Sequence, residues 1–314
     1  MKNRVLVTGA TGFVGSNLVR RLVKEGYEVH ILTRKTSNMW RLKDIYSSLI
    51  DHKVDLSDKD DLLNAVTKIN PNNICHLAIY GGYPSQNEDE KILKTNLNGT
   101  INLLSALEGI DYDCFINTGS SSEYGKKEFI MKETDICEPN TVYGIAKLSS
   151  TLYCNHISAK ENKNIGTIRL FSVYGDYEEK GRLIPTLFIN LLNGENVKLG
   201  NPAAVRDFVY IDDVVEAYIS ILKNPEKIKG KIFNISSGNQ ISIGEISEKV
   251  KSILNSSCFL DFGNLSGRTF DSTTWLGDSS LFRETFNWTP KKIDEGLKKS
   301  AEWFSKNLNL YKEV

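Results

Sequence analysis

The beginning of the chain has a pattern of apolar and polar positions that predicts a strand, a turn, a helix and a second strand. Residues 4–8 are a short apolar run that ends in glycines, and apolar residues then recur at helical spacing across residues 13–25. A second apolar run follows at residues 28–32. This order is that of a βαβ crossover, which places the two strands in parallel in one sheet.

The same alternation of strand and helix patterns continues through the first half of the chain. Three further apolar runs are typical of buried strands, and three other segments have helical periodicity. The strand-like runs are 73–79, 112–118 and 165–171, and the helical segments are 60–69, 90–108 and 143–160. The order predicts an α/β fold with a doubly wound parallel (Rossmann) sheet, whose ligands bind at the carboxyl ends of the strands.

After about Gly175 the pattern becomes mixed, with glycines and prolines between shorter elements. Residues 208–222 predict a strand and a following helix that Asp212 or Asp213 would cap. Other predicted elements are a helix at 184–193, a strand at 231–235, a helix at 243–254 and a C-terminal helix. The second region therefore differs in organisation from the first.

The length of 314 residues suffices for one large domain or two fused ones. We predict a dinucleotide-binding domain over residues 1–175, with 207–235 packing back on it. A smaller mixed substrate-binding lobe would cover residues 176–314. The chain is 40% hydrophobic and 25% charged, which is typical of globular proteins.

Charge and cysteine usage argue against several classes of partner. Acidic and basic residues balance at 39 each, so we expect no nucleic acid or anionic membrane partner. No segment approaches the roughly 20 apolar residues of a membrane span. The five cysteines form no Cys-x-x-Cys pair, and Cys75 and Cys114 lie in strand-like runs, as expected of buried thiols. This use of cysteine fits a reducing, cytoplasmic setting. The four histidines show no metal-ligand spacing, so we expect no metal.

The turn between the first strand and the first helix predicts dinucleotide binding. It reads Gly9-Ala10-Thr11-Gly12-Phe13-Val14-Gly15, with the spacing Gly-x-x-Gly-x-x-Gly. Gly9 would permit the sharp turn, Gly12 would let the backbone approach a pyrophosphate, and Gly15 would pack helix on strand. The candidate cofactor residues here are Gly9, Thr11, Gly12, Phe13, Val14 and Gly15.

The end of the second strand favours NADP over NAD. An acidic residue there would hold the ribose 2′-hydroxyl, but the sequence reads Thr33-Arg34-Lys35. Two cations suit a 2′-phosphate, and Arg34 is the candidate contact. The alternative is that both are solvated loop charges.

Tyr143 and Lys147 form a Tyr-x-x-x-Lys pattern early in a helical segment. Residues four apart lie on the same helix face, where the ammonium of Lys147 would favour the phenolate of Tyr143. A free tyrosine titrates near about 10, so such coupling would make Tyr143 a plausible proton donor or acceptor. Alone, the pattern also occurs on ordinary solvated helices.

Several motifs in chain order resemble those of the extended short-chain dehydrogenase/reductase family, in its nucleotide-sugar epimerase, dehydratase and reductase branch. The resemblance covers nearly the whole chain. Besides the glycine turn and the Tyr143–Lys147 pair, it rests on a serine loop at 118–125 and on segments 169–175 and 206–210.

The resemblance implies roles for residues that local patterns leave unassigned. Ser120, Tyr143 and Lys147 would be catalytic. An NAD(P)(H) cofactor would be contacted by Tyr143, Lys147, Asp55, Leu56, Leu77, Ala78 and Asn96, in addition to the glycine turn. A nucleotide-diphosphate sugar would be bound by Ser121, Ser122, Ser172, Arg206 and Arg268.

Three positions depart from the family pattern or leave alternatives open. Dehydratases of this branch carry a glutamate where this chain has Ser122, and Glu123 points elsewhere, which argues against 4,6-dehydration. Ser172 replaces an asparagine of many relatives, so the nucleotide stays undetermined. The Gly81-Gly82-Tyr83 segment could shape the sugar pocket or be a plain loop.

The resemblance implies hydride transfer between nicotinamide and a ring carbon, with C4 the expected position. Our leading hypothesis is a 4-ketoreductase or dehydrogenase of an NDP-(deoxy)sugar in surface-glycan biosynthesis. The alternative is a 4-epimerase that retains its cofactor. A non-enzymatic dinucleotide sensor would typically lose the tyrosine–lysine pair, and reduction of a small ketone would leave Arg206 and Arg268 without a purpose.

The resemblance also implies a homodimer. Family members commonly pair the helix of the catalytic tyrosine with the helix before it, here 143–160 and 90–108. Apolar residues of these segments could form that contact or belong to the core; they are Leu93, Leu97, Ile101, Leu148 and Leu152.

Overall fold

A parallel sheet forms the centre of the protein, which we describe from a computed structural model over residues 3–83, 85–263 and 273–312. The strands within these ranges are β1 (Arg4–Thr8), β2 (Glu28–Thr33), β3 (Ile50–Lys53), β4 (Asn73–His76), β5 (Cys114–Ser120), β6 (Ile165–Leu170), β7 (Ser172–Tyr174), β8 (Val197–Lys198), β9 (Val205–Tyr210), β10 (Ile232–Ile235), β11 (Gln240–Ser242) and β12 (Leu260–Asp261). Among the described residues, seven strands join in the order β3–β2–β1–β4–β5–β6–β10, and all neighbours are parallel. The winding reverses between β1 and β4, where such sheets bind ligands, so the predicted doubly wound sheet is confirmed.

Helices cover both faces of this sheet. In the described ranges they are α1 (Phe13–Lys24), α2 (Lys59–Ile69), α3 (Asp89–Leu93), α4 (Gly99–Ala106), α5 (Val142–Glu161), α6 (Leu183–Leu192), α7 (Ile211–Lys223), α8 (Ile243–Ile253), α9 (Ser280–Phe286) and α10 (Ile293–Asn307). The helix predicted at 90–108 is interrupted, because a π-helical segment at Lys94–Asn98 joins α3 to α4.

Alternate side chains of the strands divide the core between the two faces. Val5 and Val7 of β1 pack in a cluster with residues of α1 and α7, whereas Leu6 packs in a second cluster with α2, α4 and α5. Adjacent strand residues point to opposite faces, so a strand covered on both sides is apolar throughout. This is why β1 shows no polar alternation.

Two small sheets lie beside the central one. β9 pairs with β7 in parallel and with β11 antiparallel, and β12 pairs with β8 in parallel. β10, by contrast, extends the central sheet next to β6, and α7 packs against α1. The second half of the chain therefore contributes to the central sheet as well as to the small ones.

One strand was not predicted, and one predicted helix cap is wrong. The strand is β3, which is partly polar and lies at the edge of the sheet. Asp212 and Asp213 do not cap α7, because Tyr210 occupies the N-cap position. Asp213 instead accepts hydrogen bonds from the backbone nitrogen and Nζ of Lys291, at 2.7 and 2.5 Å.

The described residues also bear on the expectations from composition. Cys75 and Cys114 are fully buried, as predicted, and all five cysteines are free. None of the helices in the described ranges is long and apolar enough to cross a membrane.

Candidate active site

The glycine turn between β1 and α1 presents bare backbone. Gly9 has a φ of +69°, and a Cβ there would lie 2.5 Å from the carbonyl group of Leu77. A Cβ on Gly15 would lie 2.2 Å from the Gly9 carbonyl oxygen. Gly12 is the N-cap of α1 and provides no side-chain cap. The first N–H groups of α1 are therefore available to an anion such as a pyrophosphate.

This turn opens into a cavity of about 1780 Å³ across the carboxyl ends of the strands. Ligand pockets usually enclose roughly 300–1,000 Å³, so this cavity has room for two ligands. The predicted residues of the turn all line it, namely Gly9, Thr11, Gly12, Phe13, Val14 and Gly15.

Most other predicted cofactor residues line the same cavity. Arg34 and Asp55 do so after β2 and β3, together with Leu56. Leu77 and Ala78 do so after β4. Since the sheet order is β3–β2–β1–β4, one elongated ligand could extend over the glycine turn and contact all of them.

Asn96 is the exception, because it does not line the cavity. Its side chain is buried, and Nδ2 donates to the carbonyl oxygens of Tyr80 at 2.6 Å and Ile92 at 2.9 Å. The Asn96 carbonyl accepts a hydrogen bond from the Thr100 hydroxyl at 2.7 Å. Its side chain thus supports the loop after β4, and a contact between Asn96 and the cofactor stays a prediction.

The three predicted catalytic residues lie together on the cavity wall. Ser120 ends β5, and Tyr143 and Lys147 lie one turn apart near the start of α5. The helix start is defined by Thr141, whose hydroxyl accepts a hydrogen bond from the backbone nitrogen of Gly144 at 3.0 Å. A hydroxyl, a phenol and an ammonium group thus border one volume, which suits proton transfer to or from a substrate oxygen.

The electrostatics of Tyr143 differ from the expectation of a lysine-lowered pKa. Burial raises the pKa of Tyr143 to about 12, although hydrogen bonding with Ser120 acts in the opposite direction. Lys147 is 4% exposed, and burial lowers its pKa to about 8, against the effect of the Glu123 charge. Both shifts have the same cause, since a poorly solvated site disfavours every charged form.

A buried ion pair supports the loop that carries Ser120. The Glu123 carboxylate accepts hydrogen bonds from the Ser120 backbone nitrogen at 2.9 Å and from Arg169 Nε at 2.8 Å. Both side chains are at most 2% exposed, and the Arg169 guanidinium lies 4.5 Å from the ring centroid of Tyr124. Glu123 therefore holds the serine loop, and it is not among the residues that line the cavity. The Ser-x-x-Glu capping-box spacing would have revealed half of this arrangement.

The predicted substrate residues that the structure describes also border the cavity. Ser121, Ser122 and Ser172 line it, and so does Arg206 of β9. The Arg206 guanidinium lies 5.7 Å from the ring centroid of Trp275, another lining residue. Arg268 lies outside the described residues.

Sequence reasoning missed two arginines of this cavity. Arg41 is 5% exposed and donates to the carbonyl oxygens of Tyr177 at 2.8 Å and Thr11 at 3.3 Å, so it ties the glycine turn to a loop of the second region. Arg182 donates through Nη2 to the Gly82 carbonyl oxygen at 2.8 Å. Neither lies in a local motif, so no pattern pointed to them.

Nothing in the described residues is arranged as a metal centre, since no three His, Cys, Asp or Glu side chains converge there.

The doubly wound fold and its large cavity at the switch point define an α/β enzyme of the dinucleotide-binding type. The chain belongs to the NAD dependent epimerase/dehydratase family, whose sequence model matches residues 5–236. The resemblance to the nucleotide-sugar branch of the extended short-chain dehydrogenases is thereby confirmed.

Three relatives illustrate the range of the family. A UDP-N-acetyl-alpha-D-glucosaminuronate decarboxylase of Bacillus cytotoxicus is 28% identical over 97% of this chain and 98% of its own length. The structure of the Thermotoga maritima UDP-glucose 4-epimerase with UDP-glucose is 27% identical, with a TM-score of 0.87 over 97% of this chain and 99% of that one. A Bacillus cereus UDP-glucuronic acid 4-epimerase, solved in complex with UDP-glucuronic acid and NAD, is 26% identical in sequence. Its TM-score is 0.85 over 96% of this chain and 99% of that one.

Proposed function

We propose that this enzyme transfers a hydride between a nicotinamide cofactor and C4 of a nucleotide-activated sugar. The observation that carries the proposal is the grouping of Ser120, Tyr143 and Lys147 on the wall of the cavity that the glycine turn enters. The cavity volume of about 1780 Å³ leaves space for an activated sugar beside a dinucleotide.

Each proposed catalytic residue has a separate task. In the reducing direction Tyr143 Oη protonates the forming alkoxide, and the Ser120 hydroxyl orients that oxygen through its own hydrogen bond. The nicotinamide supplies the hydride when bound, and its oxidised form carries a positive charge that would act against the raised pKa of Tyr143. Lys147 would hold the nicotinamide ribose and keep a positive charge near Tyr143.

NADP(H) is the cofactor that we favour within this NAD-dependent family. Arg34 lines the cavity, and Thr33 stands where an acidic residue would hold a ribose 2′-hydroxyl. Lys35 is exposed and does not line the cavity, so the preference depends on Arg34.

Net reduction of a 4-keto sugar in surface-glycan biosynthesis is our first candidate, because an NADP(H) site suits an exchangeable reductant. The second candidate is a 4-epimerase, and the two 4-epimerase structures described above favour it. Both reactions use the same three residues, so the site geometry supports them equally. A cytoplasmic setting suits either one.

We also infer a homodimer formed through α5 and the α3–α4 segment. Leu152 on α5 is 58% exposed and Leu93 on α3 is 38% exposed. Leu97, Ile101 and Leu148 are half-buried. Such a run of apolar side chains across neighbouring helices suits burial against a second copy.

The fate of the cofactor distinguishes the two candidate reactions. The purified protein would be denatured, its cofactor identified, and nicotinamide absorbance followed with a panel of activated sugars. Stoichiometric consumption of added NADPH would establish the reductase, whereas sugar conversion without net absorbance change would establish the epimerase. Failure to bind any nicotinamide nucleotide would contradict the proposal.

A further inference from the structure

A wall of the cavity that holds Arg182 and residues 81–83 has no task in the proposed reaction. Arg182 is the N-cap of α6, and its Nη2 donates to the Gly82 carbonyl oxygen at 2.8 Å. The guanidinium also lies 4.8 Å from the Tyr83 ring centroid. These contacts join segments 100 residues apart in the sequence, so the orientation of Arg182 is set by the fold.

This wall stands beside the phenol of Tyr143. A Cβ on Gly81 would lie 3.4 Å from Cδ2 of Tyr143, so the loop and the tyrosine ring are in close contact. Burial dominates the pKa of Tyr143, and the Arg182 charge acts to lower it, which places the guanidinium within electrostatic reach of the phenol. An arginine has five N–H donors, and Gly82 accepts from only one of the nitrogens.

Among the residues that the structure describes, Arg182 forms no ion pair. Glu178 lines the same cavity within electrostatic reach of Arg182, and burial raises the pKa of Glu178 to about 8 against the effect of the Arg182 charge. Glu123 is already paired with Arg169. Glu179, another lining residue, is paired with Arg41, and Ser121 and Ser122 are neutral hydroxyls. Arg182 is thus a cation on the cavity wall whose remaining N–H donors can meet an anionic ligand.

We propose that Arg182 selects a nucleotide sugar with a carboxylate on the sugar ring, that is, an activated hexuronic acid. The inference rests on the proposed function, since it places the sugar beside Tyr143. The forked donors of a guanidinium match the two oxygens of a carboxylate, and the pair is stronger in a poorly solvated cavity than in water. Arg182 is a specificity residue and not an acid or base, because a guanidinium stays protonated.

A diphosphate is the other anion that Arg182 could bind, and two substrates separate the possibilities. UDP-glucuronate and UDP-glucose share the nucleotide and the diphosphate and differ at the sugar carboxylate. We would measure kcat/KM for both, and for dTDP-glucose, with the wild-type enzyme, Arg182→Gln, Arg182→Lys and the control Lys249→Gln. Lys249 is an exposed lysine paired with Asp294, and it does not line the cavity.

The expected result is a preference for UDP-glucuronate that depends on Arg182. Charge-assisted hydrogen bonds contribute enough that Arg182→Gln should lower kcat/KM for UDP-glucuronate about 10- to 100-fold. The value for UDP-glucose should change less than about threefold, Arg182→Lys should restore part of the preference, and Lys249→Gln should change neither value.

Two results would overturn the inference in different ways. If Arg182→Gln lowers kcat/KM equally for both UDP-sugars, Arg182 binds the diphosphate. If the wild-type enzyme converts UDP-glucose or dTDP-glucose but not UDP-glucuronate, the proposed function stands and the hexuronic acid is wrong. If none of the three sugars is converted, the hexuronic acid is wrong, and the proposed function is decided separately by cofactor binding, because failure to bind any nicotinamide nucleotide contradicts it.

Discussion

The buried pair of Glu123 and Arg169 offers a sharp test of how the serine loop is held. Glu123→Gln keeps an oxygen that can accept the hydrogen bond from the Ser120 backbone nitrogen, now 2.9 Å long. It removes the negative charge opposite Arg169 Nε, 2.8 Å away. The variant therefore tests the ion pair while it retains the local loop geometry.

The expected cost is large because the remaining charge is buried. Arg169 is 2% exposed, and its Nη1 has no hydrogen-bond partner among the described residues. Burial works against the charged form, yet the Glu123 carboxylate holds the pKa of Arg169 above its ordinary value. Breaking such a pair by removing one partner costs about 3–5 kcal/mol. For a chain of 314 residues the loss corresponds to a fall in Tm of roughly 5–8 °C.

Thermal and urea unfolding, followed by circular dichroism, would measure this loss. The matched control is Asp294→Asn, which breaks the exposed pair of Asp294 with Lys249, 2.8 Å apart. Exposed pairs contribute about 0–1 kcal/mol, so the control should unfold almost as the wild type does. The double variant Glu123→Leu, Arg169→Met should recover much of the stability, because it leaves no charge buried.

A loss in Glu123→Gln that is no larger than the loss in Asp294→Asn would refute this reasoning. It would mean that Arg169 finds water or another acceptor, and that the pair does not hold the serine loop.

Three further predictions test other parts of the site. Arg34→Ala should weaken NADPH binding about 10- to 100-fold and NADH binding little, because only NADPH has a 2′-phosphate to pair with the guanidinium. Fluorescence titration would measure both affinities. Equal losses for the two cofactors would contradict the proposed preference for NADP(H). Leu152→Lys should convert a dimer into monomers in analytical ultracentrifugation, because it places a charge in the proposed α5 interface. Ile136→Lys, at a residue that is 78% exposed in a loop outside α5, should leave the dimer intact. An unchanged dimer in the Leu152 variant would rule out the α5 interface. Burial raises the pKa of Glu178 in the folded protein to about 8, so the wild type loses stability as pH rises from the unfolded-state pKa to the folded-state pKa. Glu178→Gln should therefore unfold like the wild type at pH 5 and be more stable than the wild type by roughly 2–4 kcal/mol above pH 8. Parallel pH profiles of the two proteins in urea unfolding would show that Glu178 ionises freely in the folded protein.

Local patterns predicted the parts of the site that depend on neighbouring residues. The glycine turn could be predicted because its requirements act within one βαβ unit. Gly9 has a positive φ, and the backbone around Gly15 leaves no space for a Cβ. The proximity of Tyr143 and Lys147 could be predicted because helix geometry brings residues four apart onto one face.

Contacts between distant segments could not be predicted in this way. Arg182 reaches Gly82 across 100 residues, and Arg41 reaches Tyr177 across 136. β3 was missed because an edge strand keeps polar residues that carry no strong periodicity. The burial of the Asn96 side chain away from the cavity lining could not be read from its motif, because a motif gives a position in the chain but not the direction of a side chain inside a π-helical segment.

Under the proposed function, the phenol of Tyr143 moves the proton in a hydride-transfer reaction. Tyr143→Phe removes that hydroxyl and keeps the ring that packs against Gly81. We predict that turnover of the activated sugar falls about 10²- to 10⁴-fold, as expected for loss of a general acid–base group, while the Kd for NADP⁺ changes little. Near-wild-type turnover in this variant, with cofactor binding intact, would contradict the account.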